Sequence, residues 1–595
     1  MRNFTSSSVI ITVSFLLFSF GSSAKESDAS HKFKEFDNVS ASNRYLFKTA
    51  VDAAAISQFY KKYPNLKKYQ NDVLDLYKKK EYKMIWYDDK SVSEFGALLY
   101  HKVRLLNEQG IKATMPYMNL VDDVFNENVT NDLPQIDTEL LLSNMYVFYA
   151  SNVYSGVDPA TLKKIGWFLP AKSISYSKIL DSLMVDPGRL NKDEDLLFGQ
   201  YYKLKSVLKR YRNIEKNNQW TKIDIDSINY KDLKPFDSGV AIKQIRQRLF
   251  VVGDLAQDSK RDVYDEEMMA GVLKYKKRYG LKLNYTLTRD HINQMNEPIG
   301  NRIKTIMLNM ERCRWIPASL AKASEYIMVN IPSFRLIYVK NGKYELVSDV
   351  FVGTRMTETV IFSGNMDRIV FSPYWYVPQS IIKNELKLKM AEDKNYLADH
   401  NMEWNGGNVR QKPGPKNSLG LVKFMFPNPN DIYLHDTPAK SLFDFEKRIF
   451  SHGCINVKEA KPLALAILKD NPDWPVDKID KAMSGEKETT CMLKTKIPIY
   501  IGYFTAWVTD DGEIGFYPDV SDIDMPFFEM NEGVFTPFQA IGSLSEHETQ
   551  LFKKLIHLKL DNHQKVFHVV ERQLLLKIRS HFDHSLLLSP VAFLL

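Results

Sequence analysis

Cysteine is scarce: Cys313, Cys454 and Cys491 are the only three in 595 residues. So few thiols exclude a disulfide framework, and an exported protein that uses a free thiol gains from having few competing partners. Cys313 and Cys491 are expected to be isolated and buried. Spacings such as C-x₂-C or H-x₃-H are missing around the cysteines, so no tidy zinc site is present. Charge of one sign is nowhere concentrated. The net charge of +8 is small for this length, and its Lys and Arg are spread throughout, so no nucleic-acid surface is inferred. Past the first residues there is no uninterrupted run of roughly 18 apolar residues, so no stable membrane span is expected once a signal is removed.

What is present begins with a secretory pattern over residues 1–24. Arg2 gives the positive start, Val9 to Phe20 the apolar stretch, and Ser22-Ser23-Ala24 a small-residue cleavage site; an uncleaved anchor is the alternative. The chain is too long for one core, and a hydrophobic share of 44% suits folded domains. Residues 25–230 are rich in Leu, Tyr, Lys and Asp at helical spacing, with Asp137–Tyr154 patterned as an amphipathic helix. Residues 235–298 form a smaller helical unit. Ser238 is the candidate N-cap of a helix through Ile242, Ile245 and Leu249, and Gly280 closes a second one. From Tyr326 the period shifts to 2, and Asn341-Gly342 is a hairpin signal between strand-like runs. A mainly β domain over 325–510 follows, interrupted by a Lys-rich helical segment, Ser380 to Ala391. The 525–595 tail carries six histidines at no metal-ligand spacing, and no role is assigned to it.

The chemistry concentrates in Ser451-His452-Gly453-Cys454-Ile455-Asn456. A thiolate is a strong nucleophile when an imidazole or helix N-terminus lowers its pKa. A second histidine, His435, ends the strand-like run Asp431-Ile432-Tyr433-Leu434-His435. A strand end facing a glycine-containing turn is a way to bring imidazole and thiol together. On these residues alone, three readings stand: nucleophile, small buried cysteine, or part of a metal site.

His435 followed by Ser451-His452-Gly453-Cys454-Ile455-Asn456 resembles the H…[ST]HGC-x-[NRH] signature of the YkuD-type L,D-transpeptidases. The resemblance to the large, YcbB-like members extends to Val329–Leu336, to Phe371-Ser372-Pro373-Tyr374-Trp375-Tyr376-Val377-Pro378 and to Pro413–Gly420 with Val422–Pro427. It covers most of the chain up to about Asp524, weakly in the helical scaffold. The implied fold is multidomain α+β: a helical scaffold, a three-helix peptidoglycan-binding module at 235–298, and a YkuD-like β domain with a helical lid insertion at 378–418. In that module Tyr275-Lys276 and Leu283-Asn284 depart from the usual Phe-Gln and Asp-Gly.

The resemblance implies an enzyme, a cysteine acyltransferase that forms 3→3 peptidoglycan cross-links. It needs no cofactor and no metal, and works in the periplasm at the cell wall. Donor and acceptor stem peptides are the implied partners, with cell-wall synthases as further candidates. Cys454 would attack the donor tetrapeptide, release D-alanine and hold a thioester, with His435 as acid and base. Backbone N–H groups of Gly453 and Cys454, with the Tyr433 hydroxyl, would steady the tetrahedral oxygen. Ser451, His452 and Asn456 would touch substrate or brace the loop. The same acyl-enzyme could instead pass to water or to a protein lysine, and a non-catalytic wall-binding scaffold is the other alternative.

Overall fold

The computed structural model describes residues 51–524, apart from positions 89–90, 127–132, 158, 171, 173, 187, 189–196 and 227–229. The segments read as a signal (1–24) and as the tail (525–595) lie outside the described residues.

The scaffold is organised around the helix Gln135–Ala150. The sequence pattern suggested an amphipathic helix; the structure buries every side chain from Asp137 to Ala150. Helices Ala53–Lys62, Gln70–Lys79, Glu94–Arg104 and Met118–Phe125 all pack on it, so it has no solvent face. Its polar side chains then need internal partners. Glu139 accepts from the backbone N–H of Ile85 (2.6 Å) and Trp86 (3.2 Å) and from the Tyr77 hydroxyl (2.7 Å).

Three helices follow in the 235–298 region: Val240–Val251, Glu266–Tyr279 and Arg289–Met295. Ser238 does not cap the first. Gly239 (φ +145°) occupies the cap position, while Ser238 pairs with Val263 in a β-bridge. Gly280 closes the second helix at φ +70°, a left-handed conformation that glycine adopts without a Cβ penalty. A further helix, Ile299–Trp315, packs along the scaffold helix Gln200–Lys216. Its Asn309 carboxamide accepts from the Thr505 N–H (3.0 Å) and donates to the Thr505 hydroxyl (2.9 Å). That pair fixes the scaffold side to the end of the β domain.

The β domain is a closed ring of eight strands. In order they are Val422–Met425, Leu434–His435, Ile455–Val457, Lys343–Gly353, Arg335–Lys340, Glu325–Asn330, Thr489–Gly502 and Ile361–Phe371, the last pairing back to the first. Closure removes exposed edges. Two pairings are parallel: Leu434–His435 with Ile455–Val457, and Thr489–Gly502 with Glu325–Asn330. The Asn341-Gly342 turn has positive φ at both residues (+53° and +73°), as a tight hairpin of this type requires. Pro498 lies inside Thr489–Gly502. It is tolerated there because pairing shifts register between Met492 and Ile497, and pairing with Glu325–Asn330 begins only at Ile499.

One scaffold strand, Trp167–Phe168, pairs in parallel with the free edge of Ile361–Phe362. Consequently the buried side chains from Val51 to Val520 form one contiguous set, where length alone had suggested separate cores. The 378–418 insertion is the exception. Its helical run from Gln379 to Glu392 and its hairpin Met402–Asn405/Asn408–Gln411 enclose their own small core of Val377, Ile381, Ile382, Leu386, Met402 and Val409. Among the described residues no helix is long and apolar enough to cross a membrane.

Candidate active site

The parallel pair Leu434–His435 and Ile455–Val457 brings the motifs together. Leu434 faces Ile455 and His435 faces Asn456. Ile455 N–H also donates to the Tyr433 carbonyl (3.2 Å), so the register carries back to place Tyr433 beside Cys454. The strand is shorter than the run from Asp431 suggested. Asp431 is left-handed (φ +51°), and the Asn428 carboxamide accepts from the Asn430 and Ile432 N–H groups, making a turn of that segment.

Cys454 sits at the end of a bend, just before its strand. Its thiol donates to the Asp431 carbonyl at 3.7 Å, and Tyr433 approaches it with both backbone N–H and side chain. Burial pushes the thiol above its ordinary pKa. The two Tyr433 contacts pull it down, and the Asp431 carboxylate raises it again. A helix dipole gives no evident relief, because the strand Ile455–Val457 separates Cys454 from the helix Ala460–Leu468. The resting sulfur is therefore a thiol and not a preformed thiolate.

His435 is almost fully buried, and its ring centroid lies 5.6 Å from that of Tyr433. Its Nδ1–H donates to the Asp436 carbonyl at 2.6 Å, which leaves Nε2 as the lone-pair nitrogen. Burial lowers its pKa to about 4; the Asp436 carbonyl and carboxylate oppose this, and the Lys423 ammonium reinforces it. The imidazole is neutral near pH 7, as a proton acceptor must be.

The turn between them is held from inside. The Ser451 hydroxyl donates to the Cys454 carbonyl (2.5 Å) and accepts the Gly453 N–H (3.2 Å). Ser451 thus points into the turn and not into open space. Gly453 has φ +109°, a value that favours glycine. Its N–H is already engaged, so of the two expected backbone donors for a tetrahedral oxygen, that of Gly453 is taken. Asn456 is buried in the strand, registered between His435 and Phe351. His452 is exposed, and its Nε2 lies 2.9 Å from a Glu385 carboxylate oxygen in the 378–418 insertion.

Several residues around the site were not anticipated. Thr357 donates to the Ser451 carbonyl (3.1 Å) and Thr359 to the Gly453 carbonyl (2.8 Å). The Asp436 carboxylate accepts the Leu421 N–H (2.9 Å) and pairs with Lys440 at 2.6 Å. Gly420, at φ +60°, lets that carboxylate approach. Apart from the Asp436–Lys440 pair, four residues apart, these contacts act across 15 or more residues of chain, so local spacing does not reveal them; the one available signal was the Thr-rich segment 354–359. Among the described residues no cluster of three or more His, Cys, Asp or Glu is placed to hold a metal. Cys313 and Cys491 are free and buried.

Residues 324–476 match the YkuD family, the L,D-transpeptidase catalytic domain, and residues 71–208 match the Scaffold domain. Over 246 residues the chain is 32% identical to a Haemophilus influenzae protein named "Putative L,D-transpeptidase", covering 38% of this chain and 49% of that one. The match thus spans about half the length of that relative. Among solved structures, the Stackebrandtia nassauensis L,D-transpeptidase is 15% identical over 47% of this chain and 95% of its own, with a TM-score of 0.20. The Enterococcus faecium L,D-transpeptidase is 12% identical over 34% and 64%, with a TM-score of 0.17. Scores that low do not bear on the site. A match of another kind is a stretch of 69 residues, 12% of the chain, that is 65% identical to 29% of the DNA repair protein RecO of Flavobacterium johnsoniae.

The chain carries a YkuD L,D-transpeptidase catalytic domain, preceded by a scaffold domain.

Proposed function

We propose that this protein is a peptidoglycan L,D-transpeptidase that makes 3→3 cross-links through a thioester on Cys454. The observation that carries this reading is the strand pair that seats Cys454 against Tyr433, with a neutral, Nδ1-anchored His435 on the same strand two residues on.

The steps of this reading use His435, Tyr433 and the Cys454 turn. On substrate binding, His435 Nε2 accepts the Cys454 proton as sulfur attacks the carbonyl between the third stem residue and D-alanine. The carbonyl electron pair moves to oxygen, where the Cys454 N–H and the Tyr433 hydroxyl stabilise it. Collapse breaks the C–N bond, and His435 returns its proton to the departing D-alanine amine. The side-chain amine of an acceptor's third residue then attacks the thioester, His435 takes its proton, and the departing sulfur takes that proton back from His435, restoring the neutral thiol and imidazole. Because the resting thiol is neutral, deprotonation is coupled to attack. This limits idle reactivity in an oxidising compartment.

Two accessory roles support transfer over hydrolysis. The 378–418 insertion acts as a lid, its Glu385 touching His452 beside the nucleophile, and excludes water from the thioester. The 235–298 unit tethers the enzyme to peptidoglycan through a shallow cleft of about 470 Å³ lined by Leu273, Lys274, Lys277, Leu283 and Tyr285. Exposed Leu283 and Tyr285 suit stacking against sugar faces. The protein is exported and works in the periplasm at the wall.

The deciding experiment incubates purified protein and Cys454→Ala with tetrapeptide muropeptides and weighs the products. Cross-linked dimers plus free D-alanine, absent with Cys454→Ala, are expected. Tripeptides alone would make it a carboxypeptidase, and no product from wild type would refute the chemistry. Deleting 235–298 should lower activity on intact sacculi more than on soluble muropeptides; equal loss on both would exclude tethering.

A further inference from the structure

Loop 354–359 folds back onto the nucleophile turn, and Thr359 lies at its point of contact. The single Thr359 hydroxyl does two things at once. It donates its proton to the Gly453 carbonyl at 2.8 Å, and its oxygen accepts the Gly353 N–H at 2.9 Å. Gly353 is what permits the close fold-back, since a Cβ there would collide with the Thr357 carbonyl oxygen. Thr359 is 6% exposed, so water does not compete for these bonds.

The Gly453 carbonyl belongs to the same peptide unit as the Cys454 N–H. In a trans peptide the two point in opposite directions across a rigid plane, and no cis peptide occurs among the described residues. Fixing the carbonyl on Thr359 therefore fixes the Cys454 N–H to face away from the 354–359 loop. Gly453 itself, at φ +109°, has no Cβ to restrain that plane. The Gly453 N–H is already given to Ser451, which of the two expected donors leaves the Cys454 N–H.

We propose that Thr359 is a positioning residue for the oxyanion donor: its hydroxyl aims the Cys454 N–H by holding the Gly453 carbonyl. It touches neither substrate nor sulfur. The inference rests on acyl transfer at Cys454 as read above.

Two rates separate the possibilities. Acylation of Cys454 by a carbapenem develops a negative oxygen and needs the donor, whereas alkylation by iodoacetamide displaces iodide at carbon and develops none. Thr359→Val should slow carbapenem acylation by roughly 10- to 100-fold, the order of a weakened oxyanion donor. Its iodoacetamide rate should stay within about twofold of wild type, and Thr359→Ser should restore acylation. Equal loss of both rates, or unchanged acylation in Thr359→Val, would overturn the proposal. Should Thr359→Val fail to fold, Thr359→Ala carries the same comparison, with the same changes in the two rates expected. A wild type that alkylates but never acylates would instead refute the acyl-transfer reading, and this inference with it.

Discussion

His435 Nδ1 and the Asp436 carbonyl oxygen are 2.6 Å apart, so the imidazole is anchored by the peptide of the very next residue. A backbone acceptor cannot rotate away or lose its charge with pH, as a carboxylate partner could. It orients the ring without adding a full negative charge, and burial then dominates the pKa.

The pH profile follows from that. With His435 at about 4, kcat/KM should rise through an acid limb near that value and be flat around neutrality. The sign for stability is the same. A histidine held below its ordinary 6.5 binds its proton less readily when folded, so lowering the pH from 6.5 through about 4 favours the unfolded chain. An acid limb centred near 6.5 would show that the ring is solvated in the working enzyme. On the alkaline side, iodoacetamide alkylation should keep rising past pH 9, because the buried thiol lies above its ordinary value.

Gly420 should be intolerant of any side chain. At φ +60° an added Cβ would collide with Asp436 Cγ, against a carboxylate already holding the Leu421 N–H and Lys440. The left-handed backbone alone costs about 1–2 kcal/mol without glycine. Displacing Asp436 also takes the acceptor from the part-buried Leu421 N–H, for a total of about 2–4 kcal/mol. Urea unfolding of Gly420→Ala measures this. Its kcat should also fall, since Asp436 anchors His435; wild-type stability and kcat would disprove the coupling.

Much of the site was legible because its signals are local. A thiol, a glycine and a histidine within three residues, and a second histidine after an apolar run, mark a turn beside a strand end. The hairpin at Asn341-Gly342 and the cap at Gly280 were legible for the same reason. What stayed hidden acts across the chain. Closure of the ring depends on Ile361–Phe371 pairing with Val422–Met425, some fifty residues on, and no local period encodes a partner. The amphipathic pattern of 137–154 misled because helices from four directions cover its polar positions too. Two departures in the 235–298 unit were visible, but their relation was not. Lys276 Nζ donates to Asn284 Oδ1 at 2.6 Å and to the Thr286 carbonyl at 2.6 Å, so the odd residues satisfy one another.

The contact between the 378–418 insertion and the nucleophile turn yields a modest prediction. Glu385 and His452 are both well exposed, and an exposed pair of this kind contributes about 0–1 kcal/mol. Glu385→Ala should therefore raise KM for a muropeptide donor by no more than about fivefold at low salt, with kcat changed little. The difference should shrink as ionic strength rises. A large loss of kcat would mean that Glu385 acts on the chemistry itself.

The scaffold offers a sharper test of how the fold is held. Glu139 has no exposed surface, yet it takes hydrogen bonds from the Ile85 and Trp86 N–H groups and from Tyr77. Burial raises its pKa, while those same donors pull it down. Glu139→Ala would leave the Ile85 and Trp86 N–H groups buried without that acceptor, at about 1–3 kcal/mol for each group that water cannot reach, while the Tyr77 hydroxyl keeps the Ser143 hydroxyl at 2.8 Å. Partial relaxation keeps the sum near about 3–5 kcal/mol. Glu139→Gln keeps one oxygen acceptor and should cost less than half as much. The Trp167–Phe168 strand pairs with the catalytic ring, and the buried set is continuous across the two. Denaturation of Glu139→Ala should therefore lower the midpoint seen at the catalytic domain as well as at the scaffold. Two separate transitions, with the catalytic one unmoved, would show that the ring is stable without its scaffold.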